Sequence, residues 1–251
     1  MFQLRGQSSL LLDCCYRRAC AFLQKLPLRR CTLCDAHGLN NQNLCQPCAT
    51  DMPTNINACT GCAYPRTHSP QSQCSNCAKN PVLWDRCFCT CHYEIPADYL
   101  VKRFKYAGDR AAGLAMADAM WTNAKGFREE LKGAVFLPVP LHRSRLIQRG
   151  FNQSELLARV LAKRCGAEAL CHTLVRTRPT CSQAGLSRKA RAANIKNAFH
   201  IKDLPSNRKI VLIDDVLTTG STAKECCRML RRVGADDLTL WCFARAPAPY
   251  K

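Results

Sequence analysis

Residues 209–222 of the chain read Lys-Ile-Val-Leu-Ile-Asp-Asp-Val-Leu-Thr-Thr-Gly-Ser-Thr. The apolar run from Ile210 to Ile213 predicts a strand that is buried on both faces of a parallel sheet. Asp214 and Asp215 follow where that strand is expected to end. A loop between a parallel strand and a helix lies at the carboxyl edge of the sheet, where ligands of open α/β folds bind. We therefore expect a ligand site at this turn.

The turn is rich in hydroxyl groups and is followed by a predicted helix. Thr222 and Glu225 stand at the spacing of a capping box, so the helix is expected to begin there. Backbone N–H groups at a helix start can surround a phosphate, helped by the helix dipole. The two acids repel phosphate but suit the vicinal hydroxyls of a ribose. The pattern predicts a ribose-5-phosphate cradle; the alternative is an ordinary buried strand with an acidic end and a capped helix.

The same stretch resembles the phosphoribosyl-pyrophosphate (PRPP) motif of type I phosphoribosyltransferases. The resemblance implies that Asp214 and Asp215 orient the ribose as candidate catalytic residues. It also implies a phosphate- and PRPP-binding turn made of Val216, Leu217, Thr218, Thr219, Gly220, Ser221 and Thr222.

Length and charge narrow the class of protein. The 251 residues can hold one sizeable α/β core and a small module. The sequence has no apolar run near the roughly 18 residues of a membrane helix, and Leu10 to Leu12 is too short for the core of a signal peptide. We therefore expect a cytoplasmic location. The formal net charge of +19 predicts attraction to nucleic acid, anionic lipid or polyphosphate substrates.

Twenty cysteines in a cytosolic chain indicate metal sites rather than disulfides. Eight of them form four CxxC pairs in series: Cys31 and Cys34, Cys45 and Cys48, Cys59 and Cys62, Cys74 and Cys77. Two such pairs can supply the four thiolates of a tetrahedral zinc site. The sequence leaves open whether the pairs combine in order or crossed. The loops between them are polar and offer almost no core, so metal binding is expected to supply most of the folding free energy here.

Other elements are predicted from apolar patterning. In chain order they are a helix at 9–26, a strand face carrying Cys87, Cys89 and Cys91, a helix at 98–124 broken near Gly108, a strand at 134–139, a helix at 151–164, and strands at 169–175, 198–201 and 237–243. Alternating strands and helices of this kind favour a parallel sheet.

Two basic segments are expected over the ligand site. Arg143, Arg145 and Arg149 lie in a predicted loop after the strand at 134–139, and they suit a pyrophosphate or a nucleic-acid backbone. The segment from Arg176 to Ile195 lacks periodicity and carries Arg188, Lys189 and Arg191. Such a segment inside a compact domain is typical of a mobile functional loop, and the alternative is a plain solvated loop.

Taken together, the chain resembles the ComF family, the phosphoribosyltransferase-like competence proteins also called GntX-like. The CxxC pairs, the run Leu137 to Gln153 and the motif Val211 to Thr222 carry the resemblance. It implies an α/β fold, a type I phosphoribosyltransferase-like parallel sheet with an N-terminal double zinc-ribbon module. The expected division is a helical leader at 1–30, the zinc-ribbon module at 31–80 and the phosphoribosyltransferase-like domain at 81–251.

The resemblance also implies a role in natural transformation, handling incoming single-stranded DNA in the cytoplasm together with other proteins of DNA uptake. Two hypotheses remain open. The chain handles nucleic acid and keeps PRPP or another phosphoribosyl group as a ligand, or it is an active transferase that moves ribose-5-phosphate from PRPP to a nitrogenous base. In the second case Mg²⁺ would neutralise the pyrophosphate. The helix at 9–26 either packs on the domain or lies peripherally on the inner face of the membrane.

Overall fold

The computed structural model describes residues 30–38, 42–66, 72–178, 195, 197–205 and 208–247. The predicted leader helix at 9–26 and the basic residues Arg188, Lys189 and Arg191 lie outside these ranges. Within them, no helix has the length and apolar character needed to cross a bilayer.

Seven strands and seven α-helices organise the described residues. The strands are β1 (Arg86–His92), β2 (Val135–Pro138), β3 (Glu168–Ala169), β4 (Leu174–Arg176), β5 (Phe199–Ile201), β6 (Lys209–Leu217) and β7 (Asp237–Arg245). The helices are α1 (Gln46–Thr50), α2 (Ser75–Lys79), α3 (Ala97–Tyr106), α4 (Arg110–Asn123), α5 (Arg143–Arg149), α6 (Gln153–Cys165) and α7 (Ser221–Arg232), with a 3-10 turn at Glu129–Leu131.

Five of the strands form one parallel sheet in the order β1-β7-β6-β2-β3. The predicted α/β fold with a parallel sheet is therefore confirmed. β6 is the middle strand, and its side chains alternate between two cores. Val211 and Ile213 face a core shared with α3, α4 and α6, whereas Ile210 and Leu212 face a core shared with α7. Burial on both faces explains the continuous apolar run of this strand.

Four local predictions are wrong. β6 does not end at Ile213 but continues through both aspartates, because β7 pairs alongside as far as Leu217. The segment 169–175 is not one strand: β3 pairs with β2, and β4 pairs antiparallel with β5 in a separate small sheet. The basic loop after β2 contains a helix, α5. Its N-cap is His142, and Gly150 in the left-handed conformation (φ 78°) ends it.

The fourth wrong prediction is the capping box of α7. The N-cap is Gly220 in the left-handed conformation (φ 73°), and no side chain caps the helix. Glu225 instead accepts a 2.6 Å hydrogen bond from the backbone N–H of Asn197 and pairs with Arg228. A carboxylate held by these two partners is not turned back to the helix start, which a capping box requires.

The cysteine pairs group in chain order. The thiols of Cys31, Cys34, Cys45 and Cys48 form the first cluster, and those of Cys59, Cys62, Cys74 and Cys77 form the second cluster. Cys87, Cys89 and Cys91 lie on a strand, β1, as predicted, and all three are buried. They do not share one face, because Cys87 and Cys89 belong to the core with α7 and Cys91 belongs to the other core.

The first cluster packs against the hydrophobic core of the sheet and helices. Its loop residue Leu44 and the nearby Met52 are buried in the same core as α3, α4 and α6. Asp118 of α4, 3 % exposed, accepts hydrogen bonds from the backbone and side chain of Asn43 at 2.9 and 2.7 Å and pairs with Arg164. The first cluster is thus joined to the helical layer by apolar contact and by a buried polar network, contrary to the expectation from its polar loops.

Candidate functional site

A cavity of about 290 Å³ opens at the carboxyl edge of the sheet. The last residues of β6, the residues after β2 and the start of α6 all contribute to its wall. Six of its lining residues are charged: Lys105, Arg145, Arg149, Arg176, Asp214 and Asp215. A site at this edge was the expectation, because successive parallel strands place their following loops there.

The two aspartates differ in environment although they are adjacent. Asp214 is partly buried, and its Oδ1 accepts hydrogen bonds from Ser154 Oγ at 3.0 Å and from the backbone N–H of Asp215 at 2.9 Å. Asp215 is 6 % exposed, and its Oδ1 lies 2.8 Å from Lys105 Nζ. Burial, followed by the charge of Asp215, raises the pKa of Asp214 to about 7, against the opposing charge of Lys105. Asp214 therefore titrates near neutrality, beside a carboxylate that is paired with a lysine.

Lys105 is a site residue that sequence reasoning missed. Burial lowers its pKa, but the charge and hydrogen bond of Asp215 together with the charge of Asp214 outweigh burial, and the net pKa is raised. The ammonium group thus stays charged beside the carboxylate. One signal was present in the sequence: Lys105 follows Val101 by four residues, on the buried side of α3 that includes Phe104. A lysine on such an apolar stripe is rarely buried without a partner.

The turn after β6 is compact and internally bonded. Thr219 Oγ1 lies 3.0 Å from Ser221 Oγ and accepts a 3.4 Å bond from the backbone N–H of Ser221. Gly220 adopts a left-handed conformation that residues with a side chain rarely adopt. Among residues 216–222 the cavity wall is formed by Val216, Thr218 and Thr222, while Leu217 is buried beneath. Of the residues predicted to bind PRPP, three therefore face the cavity, and the others hold the turn in its conformation.

Two of the three predicted arginines face the cavity. Arg145 and Arg149 of α5 line it, whereas Arg143 at the start of the helix is exposed and does not. Arg149 donates a 3.3 Å hydrogen bond to Gln153 and lies 5.9 Å from the ring centre of Tyr106. Arg176 also lines the cavity, where burial and then the charge of Arg145 lower its pKa. The cavity thus offers arginines to anionic groups and carboxylates to hydroxyl groups.

The two cysteine clusters fit a tetrahedral zinc ion. All four sulfur atoms of each cluster lie within 4.8 Å of one another. Sulfur atoms bound to one zinc at about 2.3 Å stand about 3.8 Å apart in a tetrahedron. Cys34 Sγ lies 3.5 Å from Cys45 Sγ, and Cys62 Sγ lies 3.8 Å from Cys74 Sγ. The four sulfur ligands and their spacing therefore suit zinc, and two CxxC pairs would bind each zinc ion.

Backbone N–H groups prepare a thiolate in each cluster. Burial raises the pKa of Cys31, but hydrogen bonds from N–H groups outweigh burial and lower it to about 6. The same balance lowers the pKa of Cys59 to about 7, with a 3.1 Å bond from the N–H of Cys74 among the donors. Because metals bind the thiolate, each cluster offers one cysteine that can be the first ligand near neutral pH.

A parallel sheet with acids, a hydroxyl-rich turn and arginines at its carboxyl edge defines a phosphoribosyltransferase-like protein. The family model for the phosphoribosyl transferase domain matches residues 153–251. Competence protein F of Haemophilus influenzae is 32% identical over 86% of this chain and 97% of its own length. The chain therefore belongs to the ComF family.

Further relatives agree. The DNA utilization protein YhgH of Salmonella typhimurium is 33% identical over 86% of this chain and 96% of its own length. Competence protein ComFC of Streptococcus pneumoniae is 29% identical over 57% of this chain and 60% of its own length. A solved purine phosphoribosyltransferase from Pyrococcus horikoshii superposes at a TM-score of 0.31 and 14% identity, covering 55% of this chain and 89% of that chain. That score is too low to define the fold, which rests on the sheet itself.

Proposed function

We propose that this chain is a competence protein of DNA uptake that handles incoming single-stranded DNA in the cytoplasm and carries a PRPP-type phosphoribosyl site. One observation supports this proposal above the others: Asp214 and Asp215 face the same cavity as Arg145 and Arg149. A phosphoribosyl ligand and the phosphates of a strand would thus meet at one place. The names of the relatives, competence protein and DNA utilization protein, support the biological setting.

The ligand would lie across the cavity in a defined order. The carboxylates of Asp214 and Asp215 would accept hydrogen bonds from the ribose hydroxyls. The turn from Thr218 to Thr222 would hold the 5-phosphate at the start of α7, where the helix dipole favours an anion. Arg145 and Arg149 would hold the pyrophosphate. Mg²⁺, when bound with PRPP, would neutralise part of the pyrophosphate charge.

Single-stranded DNA would bind over the same mouth. Arg143 is exposed next to the two cavity arginines, so α5 presents three positive charges along one helix. These would contact phosphates with little sequence preference. Phe151, the aromatic residue that follows α5, is 9 % exposed and packs against Phe104, so it is not free to stack on a base.

Tyr106 is better placed to stack on a base. It is 77 % exposed at the end of α3, and its ring lies 5.9 Å from the guanidinium group of Arg149. An exposed aromatic ring beside a phosphate-binding cation is the combination used for single strands. The strand would therefore run from α5 towards the end of α3.

Two zinc ions complete the proposal, one in each cysteine cluster. Closed sets of four thiolates are typical of structural zinc, which contributes folding free energy rather than chemistry. We place the protein in the cytoplasm, at most peripheral to the inner face of the membrane through its N-terminal residues.

A second candidate function is transfer of ribose-5-phosphate from PRPP to a nitrogenous base. The specific observation in its favour is Asp214, whose raised pKa of about 7 would allow it to bind a ribose hydroxyl in either protonation state. Release of pyrophosphate from PRPP in the presence of a panel of bases, with and without single-stranded DNA, separates this function from the first.

The proposal is tested by competition between its two ligands. A fluorescent single-stranded oligonucleotide is bound to the full chain, and Mg²⁺ with PRPP is added while its anisotropy is followed. Because Arg145 and Arg149 would serve both ligands, PRPP should displace the oligonucleotide, and ribose-5-phosphate, which lacks the pyrophosphate, should displace it less. Failure of the oligonucleotide to bind, or binding that PRPP leaves unchanged, would contradict a shared site.

A further inference from the structure

The second cysteine cluster is connected to the phosphate turn by the buried side chain of Arg245. This arginine ends β7 and is 8 % exposed. Its Nε donates a 2.9 Å hydrogen bond to the carbonyl oxygen of Cys62. Its Nη1 donates to the carbonyl oxygens of Leu217 at 2.9 Å and Thr218 at 2.7 Å. One guanidinium group therefore joins a cysteine of the cluster to the first residues of the turn.

Trp84 makes a second connection between the same two places. Its Nε1 donates a hydrogen bond to the carbonyl oxygen of Gly61, inside the Cys59-to-Cys62 turn. Its ring edge lies 3.4 Å from the position that a Cβ on Gly220 would occupy. Trp84 is 4 % exposed, and its ring is packed between the cluster and the turn.

The acceptors on the cluster side are held by the geometry of the CxxC turn. Gly61 lies between Cys59 and Cys62, and Cys62 is itself one of the four cysteines of the second cluster. Gly61 itself is tightly enclosed, because an added Cβ would lie 3.1 Å from Cys77 Sγ. Without a metal no bond joins the four sulfur atoms, so the turn loses the interaction that fixes its position in the cluster. The carbonyl groups that Arg245 and Trp84 bind would then shift.

The first cluster has different neighbours. Hydrogen bonds connect it to the helical layer, from Arg103 to the carbonyl oxygen of Thr32 at 2.7 Å and from Asn43 to Asp118. Its buried residues belong to the core on the opposite face of the sheet from α7. The two clusters are therefore expected to differ in their effect on the turn.

We propose that metal binding at the second cluster positions the phosphate turn, and that Arg245 and Trp84 are the positioning residues that transmit its geometry. The first cluster stabilises the helical layer and has no such effect. The consequence for PRPP rests on the proposed function, since the turn from Thr218 to Thr222 is its proposed phosphate site. The effect on the turn itself does not depend on any ligand.

Hydrogen exchange of the turn tests the inference without a ligand. The backbone N–H of Lys224 donates a 2.8 Å bond to the carbonyl oxygen of Gly220, so its exchange reports whether the turn and the start of α7 are closed. Cys74→Ser should remove one zinc and speed exchange in 218–224 by about tenfold or more. Cys34→Ser should remove one zinc while exchange in 218–224 stays as in the wild type.

Arg245→Lys separates positioning from metal binding and from folding. A lysine cannot reach three carbonyl oxygens in a fixed fork. This variant should keep two zinc ions, exchange faster in 218–224, and keep wild-type exchange in the middle of β6 and β7. Arg86→Lys, at the amino end of β1 beside the start of β7, is the matched control and should exchange as the wild type does in 218–224.

The outcomes for the inference and for the proposed function are distinct. Equal exchange in 218–224 for wild type, Cys74→Ser and Arg245→Lys would overturn the inference. If Cys74→Ser does not fold, Arg245→Lys alone decides the matter. Should the wild type with two zinc ions fail to bind Mg²⁺ and PRPP, the proposed function fails, while the exchange result still decides whether the second cluster positions the turn.

Discussion

Lys105 Nζ lies 2.8 Å from Asp215 Oδ1, and the two side chains are 19 % and 9 % exposed. The pair connects the end of α3 to the middle strand of the sheet at the floor of the cavity. Its charge has a local effect, because the cation opposes the rise in the pKa of Asp214. The pair thus sets how much negative charge the cavity presents to a ligand.

Lys105→Met should destabilise the fold by about 3–5 kcal/mol, because it leaves a buried carboxylate without its counter-charge. The double variant Lys105→Met with Asp215→Asn should regain part of the loss. Urea unfolding at pH 8 provides the free energies for the cycle. The matched control is Lys102→Met on the same helix, whose 58 % exposed ammonium pairs with Asp98 and should matter by less than about 1 kcal/mol. Similar losses in Lys102→Met and Lys105→Met would show that the buried pair contributes little.

Asp214 predicts a pH dependence of stability with a defined sign. Its pKa is raised from 3.8 to about 7 by burial and by the charge of Asp215. Between these values the unfolded chain has released the proton and the folded chain has kept it, so stability falls as the pH rises from about 4 to about 7. Asp214→Asn removes this cost and keeps an oxygen for Ser154. Relative to the wild type, its free energy of unfolding should be higher at pH 8 than at pH 5 by at least about 1 kcal/mol. If the variant and the wild type differ in free energy of unfolding by the same amount at pH 5 and at pH 8, the raised pKa of Asp214 is contradicted.

The sequence predicts the middle of the fold well because the information there is local. The run Ile210 to Ile213 is apolar on both faces, which only a strand between two cores requires. The acids that follow lie where the cavity opens. The helix α5 was missed since it buries none of its residues and so has no apolar stripe to detect. Lys105 was missed as a partner of Asp215 because the two are joined by packing across 110 positions of sequence.

In the cysteine clusters, too, local features were predictable from the sequence and distant contacts were not. The spacing of CxxC predicts the ligand type and number, since each pair is a local turn. The combination of pairs in chain order and the burial of Leu44 and Met52 depend on the path of the chain through the fold. From the sequence alone, the polar loop that contains Leu44 is predicted to have no core, because the residues that bury Leu44 are distant in the sequence.

The purified chain should carry about two zinc ions, one for each set of four thiolates. Cys31→Ser should lose one zinc and also lower the urea midpoint of the whole chain, because Cys31 is 3 % exposed within the main core. Cys34→Ser, at an exposed position of the same cluster, should lose the zinc with a smaller drop in midpoint. Elemental analysis that finds no zinc in protein purified under reducing conditions would contradict the assignment.

Arg145→Ala with Arg149→Ala should weaken binding of single-stranded DNA at low salt. It should also reduce the slope of log affinity against log salt by about one to one and a half, since each phosphate contact on a single strand contributes about 0.7. Titrations of a labelled oligonucleotide at several salt concentrations measure both quantities. Lys125→Ala with Lys132→Ala removes the same charge just before β2 begins, at the opposite edge of the sheet, and should leave the slope unchanged. If the salt slopes of the two double variants are equal, Arg145 and Arg149 do not bind the DNA phosphates. Binding to vesicles of anionic lipid would then be tested.

The central claim is that the acids and the turn at the end of β6 bind a phosphoribosyl ligand. Isothermal titration calorimetry with Mg²⁺ and PRPP at pH 8, where Asp214 is charged, tests it most directly. Loss of one charged acceptor costs about 1.5–3 kcal/mol, so Asp214→Asn should bind at least about tenfold more weakly than the wild type. Asp237→Asn, at the far end of β7 beside Arg86, should bind as the wild type does. Equal affinity in all three proteins, or no binding to the wild type, would contradict the account.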